Sequence, residues 1–351
     1  MLWLLALVPA VLLAEMLKPD AHTLLFALSV LAIVPLAVLL SHATESVAAR
    51  TGDAVGGLLN ATLGNLTELI IALTALRAGQ YVLVKASIAG AIVANSMFML
   101  GASFLLGGLK HHVQDYNRNN ARLQAGLLFL ATIAILVPSV LAGGDAPAAA
   151  RLTQALSLAL SMLLIAVYGL SLLFSLRTHV EFFAGADQGE SGEEWPLGLS
   201  FATLAGVTVL VALVSEVFVE SVQQAGVALG LAPAFVGFII VALVGAAAEM
   251  AAAFSAARKN RLDLSVGIAL GSAAQIALFV APVLVLASYM IGPSPMDLQF
   301  WPAAVAMMLI AAMTTSLVSN TGRSAWFIGG LILTVYAIFA LTLYLLPPPV
   351  G

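Results

Sequence analysis

The sequence predicts an all-α integral membrane protein of eleven transmembrane helices, a first helix followed by two inverted five-helix repeats. Three observations carry that prediction. Of the 351 residues, 62% are hydrophobic and only 9% charged, and the mean hydropathy is +1.09. Apolar runs of about 20 residues, the length that crosses a bilayer core as a helix, recur along the whole chain. Lipid offers the backbone no hydrogen bonds, so such runs must be helical. Finally, the stretch Gly64–Gly101 returns without a gap as Gly245–Pro282, at a constant offset of 181. Gly64 falls on Gly245, Glu68 on Glu249, Ala72 on Ala253, Arg77 on Arg258, Gly90 on Gly271 and Phe98 on Phe279.

Taken in order, the apolar runs place helices at 2–17, 23–49, 55–77, 81–108, 121–143, 150–176, 198–228, 234–257, 262–290, 298–318 and 323–346. The first run has no positive n-region and closes near Glu15 and Lys18, so it reads as a membrane helix rather than a cleaved signal peptide. Breaks fall at Pro19–Asp20, Arg77–Ala78–Gly79, the polar run 110–122, Gly143–Gly144–Asp145, Gly292–Pro293 and Asn320–Thr321–Gly322. This divides the chain into an N-terminal helix (1–20), a first five-helix repeat (21–177), an acidic linker (178–196) and a second repeat (197–351). The linker carries Glu181, Asp187, Glu190, Glu193 and Glu194, with no Lys or Arg after Arg177. With the N-terminus cytoplasmic, Arg50, Lys110, Arg118, Arg122, Arg177, Arg258, Lys259, Arg261 and Arg323 lie inside, against Lys18, Arg77, Lys85 and Arg151 outside. The excess of Lys and Arg inside favours that orientation. The linker then faces the cytoplasm, and five helices per half, an odd number, insert the halves with opposite orientation.

Composition also excludes. No basic tract points to nucleic acid, and zero cysteines rule out disulfides and thiolate metal sites. No His-Glu-x-x-His motif, serine–histidine arrangement or aspartate pair stands at catalytic spacing, so neither an enzyme nor a cofactor is expected. The expected surroundings are the lipid bilayer of a prokaryotic inner membrane.

Chemistry concentrates on the repeated acids. A carboxylate near the bilayer centre costs about 2.5–3.5 kcal/mol on insertion scales. Two of them, at equivalent positions of a repeat, point to one shared ion site near the midplane, where inverted repeats of secondary transporters meet. Asn60, Gly64 and Glu68 are four residues apart and Asn65 lies three before Glu68, so one helical face offers amide oxygens, a carboxylate and a glycine. The second repeat has Val241, Ala246 and Ala248 where the first has Asn60, Asn65 and Thr67; Ser272 and Gln275, three apart, compensate. Asn95 is the rough counterpart of Gln275, one place out of register. The candidate cation- and proton-binding set is therefore Glu68, Glu249, Asn65, Asn95, Gln275, Ser272, Gly64 and Gly245, with Glu68 and Glu249 as metal ligands. Hard cations such as Ca2+ want about 6–8 oxygens of these kinds. Glu45, Glu216 and Glu220, further acids within helices, form a proton or cation path. His42, three residues before Glu45, reads as structural, and Arg77, Arg258, Lys259 and Arg261 as cations snorkelling from helix ends.

A carboxyl group taken out of water resists ionisation until a cation is near. Protons and metal thus compete for the same oxygens. If the site opens to one side at a time, competition becomes antiport. The expectation is exchange of Ca2+ for protons, with Glu68 and Glu249 holding each in turn. The alternative is exchange coupled to Na+ or K+, which the oxygen-poor second repeat would suit; a channel fits buried titratable acids less well.

The run Gly56–Leu76, GGLLNATLGNLTELIIALTAL, resembles the first signature of the Ca2+/cation:proton antiporter (CAX) family of the cation/Ca2+ exchanger superfamily, and Ala234–Pro282 resembles the second. The similarity extends to Ala43-Thr44-Glu45, Ser215-Glu216 and Gly322 through Tyr336. It implies an eleven-helix fold with a dispensable first helix, an acidic segment between the halves, Ca2+ movement driven by a proton gradient with Glu68 and Glu249 central, and oligomers, trimers among them, in relatives. Two departures stand out. The family's second motif usually reads Gly-Asn-Ala-Ala-Glu-His, but here Ala246 and Met250 hold the asparagine and histidine positions. The last helix usually opens on Asp-Gly-x-Ser-Asn-Trp-Leu-Glu, but here the run is Thr321-Gly322-Arg323-Ser324-Ala325-Trp326-Phe327-Ile328.

Overall fold

The computed structural model describes residues 2–51, 53–141, 147–180 and 195–345, and is nearly all helical. The acidic part of the linker, including Glu181, Asp187, Glu190, Glu193 and Glu194, lies outside the described residues, as does the Gly143–Gly144–Asp145 break. The helices are α1 (Leu7–Leu17), α2 (His22–Arg50), α3 (Asp53–Leu63), α4 (Leu66–Arg77), α5 (Tyr81–His111), α6 (Arg118–Leu141) and α7 (Pro147–Leu173). There follow α8 (Leu197–Leu229), α9 (Pro233–Gly245), α10 (Ala247–Arg258), α11 (Leu262–Ile291), α12 (Pro302–Val318) and α13 (Trp326–Leu345). Among the described residues seven helices are long and apolar enough to span a membrane, eight if the bent pair α9–α10 counts as one span; α12 and the run Leu4–Leu17 are shorter apolar helices.

Two spans expected to be continuous are broken. Where the sequence predicts 55–77, the helix stops at Leu63 and restarts at Leu66. Where it predicts 234–257, α9 and α10 meet at Ala246 with a 59° bend. Glycine at 64 and 245 weakens each helix at the break, where the chain turns. In α5 the residues Ala94–Met99 form a π-helical turn, and α11 carries one at Ile276–Val280. Such turns free backbone carbonyls and mark functional sites in many helices.

Helices α5 and α11 form the centre, and most of their central residues are enclosed by protein. Helices α2 and α8 pack along each other, α5 crosses α9 and α13, and α11 lies on α6. The crossing of α5 on α9 depends on small residues. A Cβ on Gly90 would run into the backbone of Phe238, and one on Gly237 would sit 2.6 Å from the Ala86 methyl. Backbones that close exclude anything larger, the usual way membrane helices gain packing without a hydrophobic drive.

Residues 293–301 form a non-helical, bent segment, although the sequence predicts helix from 298. Alternate amides of this segment are held by hydroxyls from separate helices. The Ser294 amide donates to the Tyr81 hydroxyl (2.8 Å), Met296 to Ser288 (2.7 Å), Leu298 to Ser157 (3.0 Å) and Phe300 to Ser139 (3.0 Å). Asp297 pairs with Lys85 at 2.5 Å. With its amides satisfied this way the strap needs no helix, and Pro302 opens α12 at its first turn. Elsewhere β1 (Val113–Asp115) pairs antiparallel with β2 (Arg323–Ala325), and Asp115 pairs with Arg323 at 2.6 Å.

The Gly90 crossing makes a clean prediction. Gly90→Ala forces a methyl into the Phe238 backbone and should cost about 1–3 kcal/mol. Gly271→Ala, at the repeat-equivalent position with nothing described within 4 Å, should be neutral or stabilising within about 1 kcal/mol. Thermal unfolding of the two variants in detergent checks the difference; equal losses would contradict it.

Candidate functional site

The two helix breaks lie against each other, and each supplies an acid in the first turn of the helix beyond it, Glu68 in α4 and Glu249 in α10. Helix N-termini carry unpaired amides and partial positive charge, so both acids sit where negative charge is favoured. Each break is covered by a side chain from the other half. The Glu68 carboxyl rests on Gly245, where a Cβ would lie 2.8 Å from Glu68 Cγ. The Gln275 carboxamide rests on Gly64, with its Oε1 3.7 Å from the place of a Cβ. At Gly245 the absence of a Cβ is what admits the Glu68 side chain.

Glu68 and Glu249 are close enough for their charges to act on each other. Their company differs. Ser272 donates a 2.5 Å hydrogen bond to Glu249 Oε2, whereas Glu68 Oε1 is buried with no hydrogen-bond partner. Asn65 occupies the N-cap of α4 yet makes no capping bond. An asparagine there ordinarily bonds its own helix; here the side chain is 1% exposed and both polar atoms are unpartnered. Asn95, in the π-helical turn of α5, is fully buried with both polar atoms likewise unpartnered. Buried amides without a hydrogen-bond partner are rare in folded proteins. Of the predicted set, contacts tie Glu68 to Gly245, Gln275 to Gly64 and Ser272 to Glu249. Among the described residues no three acidic, histidine or cysteine side chains converge, so any cation held here would draw two carboxylates and otherwise neutral oxygens.

The acids expected to form a path are placed apart. Glu45 is exposed and accepts a hydrogen bond from Ser41 (3.1 Å). Glu216 is paired with Arg77 at 3.4 Å, so Arg77 finds a carboxylate as well as a helix end. Glu15 of α1 lies within electrostatic reach of Glu216 and Glu220, gathering a group of acids that sequence reasoning did not assemble. His42 stacks on Trp195 at 5.0 Å, consistent with a structural role. Ser87 was also missed. It lines a small cavity with Glu68, Ala72, Ala91 and Ile276. The signal was present in the sequence: Ser87, Ala91 and Asn95 are spaced by four on α5, one face of a helix.

Apolar spans, two broken helices and an acid pair meeting inside the protein define an integral membrane protein of the ion-transporter class. The chain belongs to the sodium/calcium exchanger protein family, whose model matches residues 21–177 and 199–345. It is 40% identical to the Ca2+/H+ antiporter of Aphanothece halophytica over 99% of this chain and 97% of that one. It is 41% identical to the Ca2+/H+ antiporter of Synechocystis sp. over 93% and 92%. Its fold matches the solved structure of native YfkE with a TM-score of 0.84 at 35% identity, covering 98% of both chains. The resemblance drawn from the two signatures is borne out, and the relatives are antiporters rather than enzymes.

Because the Asn65 side chain has no hydrogen-bond partner among the described residues, Asn65→Ala removes no such bond. Loss of an unsatisfied buried polar group is close to neutral, so its unfolding temperature without divalent cations should stay within about 3 °C of the parent. A larger drop would show that Asn65 is structural glue.

Proposed function

We propose that the chain exchanges Ca2+ for protons across a prokaryotic cell membrane by alternating access. Glu68 and Glu249 hold Ca2+ in one step and protons in the other. Asn65, Asn95, Gln275 and Ser272 supply neutral oxygens. The observation that carries this is the acid pair itself: two carboxyl groups from two helix N-termini, within each other's field, with the unpartnered Asn65 side chain at the N-cap of the helix that carries Glu68. Two carboxylates balance the charge of one divalent cation, and a proton on each leaves the site neutral when the cation has gone. The antiporter relatives give the same cation and counter-ion.

In this reading the chain has eleven spans with the N-terminus cytoplasmic. The helices from 21–177 and 197–351 are two inverted repeats, joined by the cytoplasmic acidic linker and preceded by the separate helix 1–20. Swapped contacts support the repeat. Phe98 of the first half packs at a tilt on Tyr336 of the second at 5.2 Å, and Phe279 of the second stacks on Tyr168 of the first at the same distance. One contact breaks the pattern, and it supports alternating access. Gly90 is pressed onto α9, while its counterpart Gly271 has nothing described within 4 Å. A conformation closed at one crossing and open at the mirrored one is what a carrier open to one side requires. The sodium- or potassium-coupled alternative draws on a single feature, Ala246, buried where an amide could stand.

The test is a reconstitution. Vesicles holding the protein under an imposed pH gradient should accumulate 45Ca, and collapsing the gradient should stop it. Competition by Na+, K+, Mn2+ and Mg2+ defines selectivity, and uptake indifferent to pH but driven by Na+ would favour the alternative. Glu68→Gln and Glu249→Gln should each lower exchange by at least about 100-fold with the folded protein retained, as loss of a buried charge-assisted contact allows. Full activity in both variants overturns the assignment. Gly271→Ala, although stable, should slow exchange by about tenfold or more if that crossing must close in the cycle; an unchanged rate would sink the mirrored closure.

A further inference from the structure

Asn95, a candidate ligand, stands in a π-helical turn of α5, and a π-helical turn is held only as well as its freed carbonyls are satisfied. Helix α12 packs against this part of α5. Its buried Thr315, 1% exposed, aims its hydroxyl at the carbonyl of Ser96, next in sequence to Asn95, at 3.4 Å. This is not what threonines elsewhere in the bundle do. Thr74, Thr132, Thr208, Thr334 and Thr342 all donate to the carbonyl four residues back on their own helix. Thr315 turns from that ordinary partner to a neighbouring helix. The Ser96 hydroxyl meanwhile reaches back to the Ile92 carbonyl at 2.6 Å, leaving its own carbonyl for Thr315. Thr132 of α6 is buried, but its hydroxyl goes to Leu128 of its own helix. The π-helical turn at Ile276–Val280 receives no such cross-helix bond from it.

We infer that Thr315 is a positioning residue for cation binding. By holding the carbonyl of Ser96 it fixes the π-helical turn that presents the Asn95 amide to the bound divalent cation. The inference rests on the reading of Asn95 as a ligand, and the experiment separates the two. A lost hydrogen bond of this kind translates into about threefold to tenfold in affinity. Thr315→Val keeps the side-chain volume and removes the hydroxyl; Thr315→Ala carries the same test without adding a methyl to a packed site. Initial rates of 45Ca uptake in vesicles give the Ca2+ KM and the maximal rate for the parent, Thr315→Val, Thr315→Ser, Asn95→Ala and the double variant.

The expected result is a KM raised about threefold to tenfold in Thr315→Val with the maximal rate nearly kept. Thr315→Ser should restore the parent KM, and the double variant should be no worse than Asn95→Ala alone. That non-additivity is the signature of one residue acting through another. If Asn95→Ala weakens Ca2+ binding but Thr315→Val does not, or if the two effects simply add, the positioning role is overturned while Asn95 stays a ligand. If Asn95→Ala leaves the KM unchanged, the ligand reading fails, and the inference with it.

Discussion

A backbone inside a bilayer must satisfy its own amides and carbonyls, and this constraint decides where the chemistry of this protein can stand. Helix meets it automatically; a broken helix meets it only when other protein covers the break. The chain breaks twice in its interior, at Gly64–Asn65 and Gly245–Ala246, and each break is covered by a side chain from the opposite half. The unpaired amides of two helix N-termini are thereby gathered in one place. Helix N-termini welcome negative charge in an apolar bundle, and each of these has a glutamate in its first turn. The acid pair and the broken helices are one device. Without the breaks the glutamates would lie mid-helix with no favourable field, and without glycine at 245 the Glu68 side chain could not approach.

Much of this was legible beforehand, because it rests on residue type and spacing. Length and hydropathy gave membrane helices. The repeat paired Glu68 with Glu249, and helical spacing added Asn65, Ser272 and Gln275. What the sequence could not display was tertiary in origin. Alanine is the best helix former, so nothing local marks Ala246 as the point of a 59° bend. Leu298, Phe300 and Trp301 are apolar and read as the start of a helix, yet hydroxyls from Ser139 and Ser157, far away in sequence, hold that backbone out of a helix. The π-helical turns are equally silent, since they differ from α-helix by one residue of register. The pairing of Glu216 is equally hidden, because its partner Arg77 lies on another helix and reads locally as an end-of-helix cation.

The two halves of the site are built alike in charge and unlike in company, and that difference bears on what the site can select. Each half contributes one carboxylate at one helix N-terminus. Beyond that, the first half offers Asn65 and Asn95, both unpartnered, whereas the second has Ala246 at the amide position and commits the Ser272 hydroxyl to Glu249. A hydroxyl that donates to a carboxylate can turn and offer a lone pair to a cation instead, so Ser272 can serve either state of the site. Asn95 and Asn65 offer amide oxygens whose orientation is set by the helix turns that carry them. Affinity for hard cations follows both the number of charged ligands and the rigidity of the neutral ones. The acids are anchored by the fold and set the charge. The neutral oxygens, placed by a π-helical turn on one side and a serine on the other, are where one member of this family can differ from the next without disturbing the helices that hold the acids together.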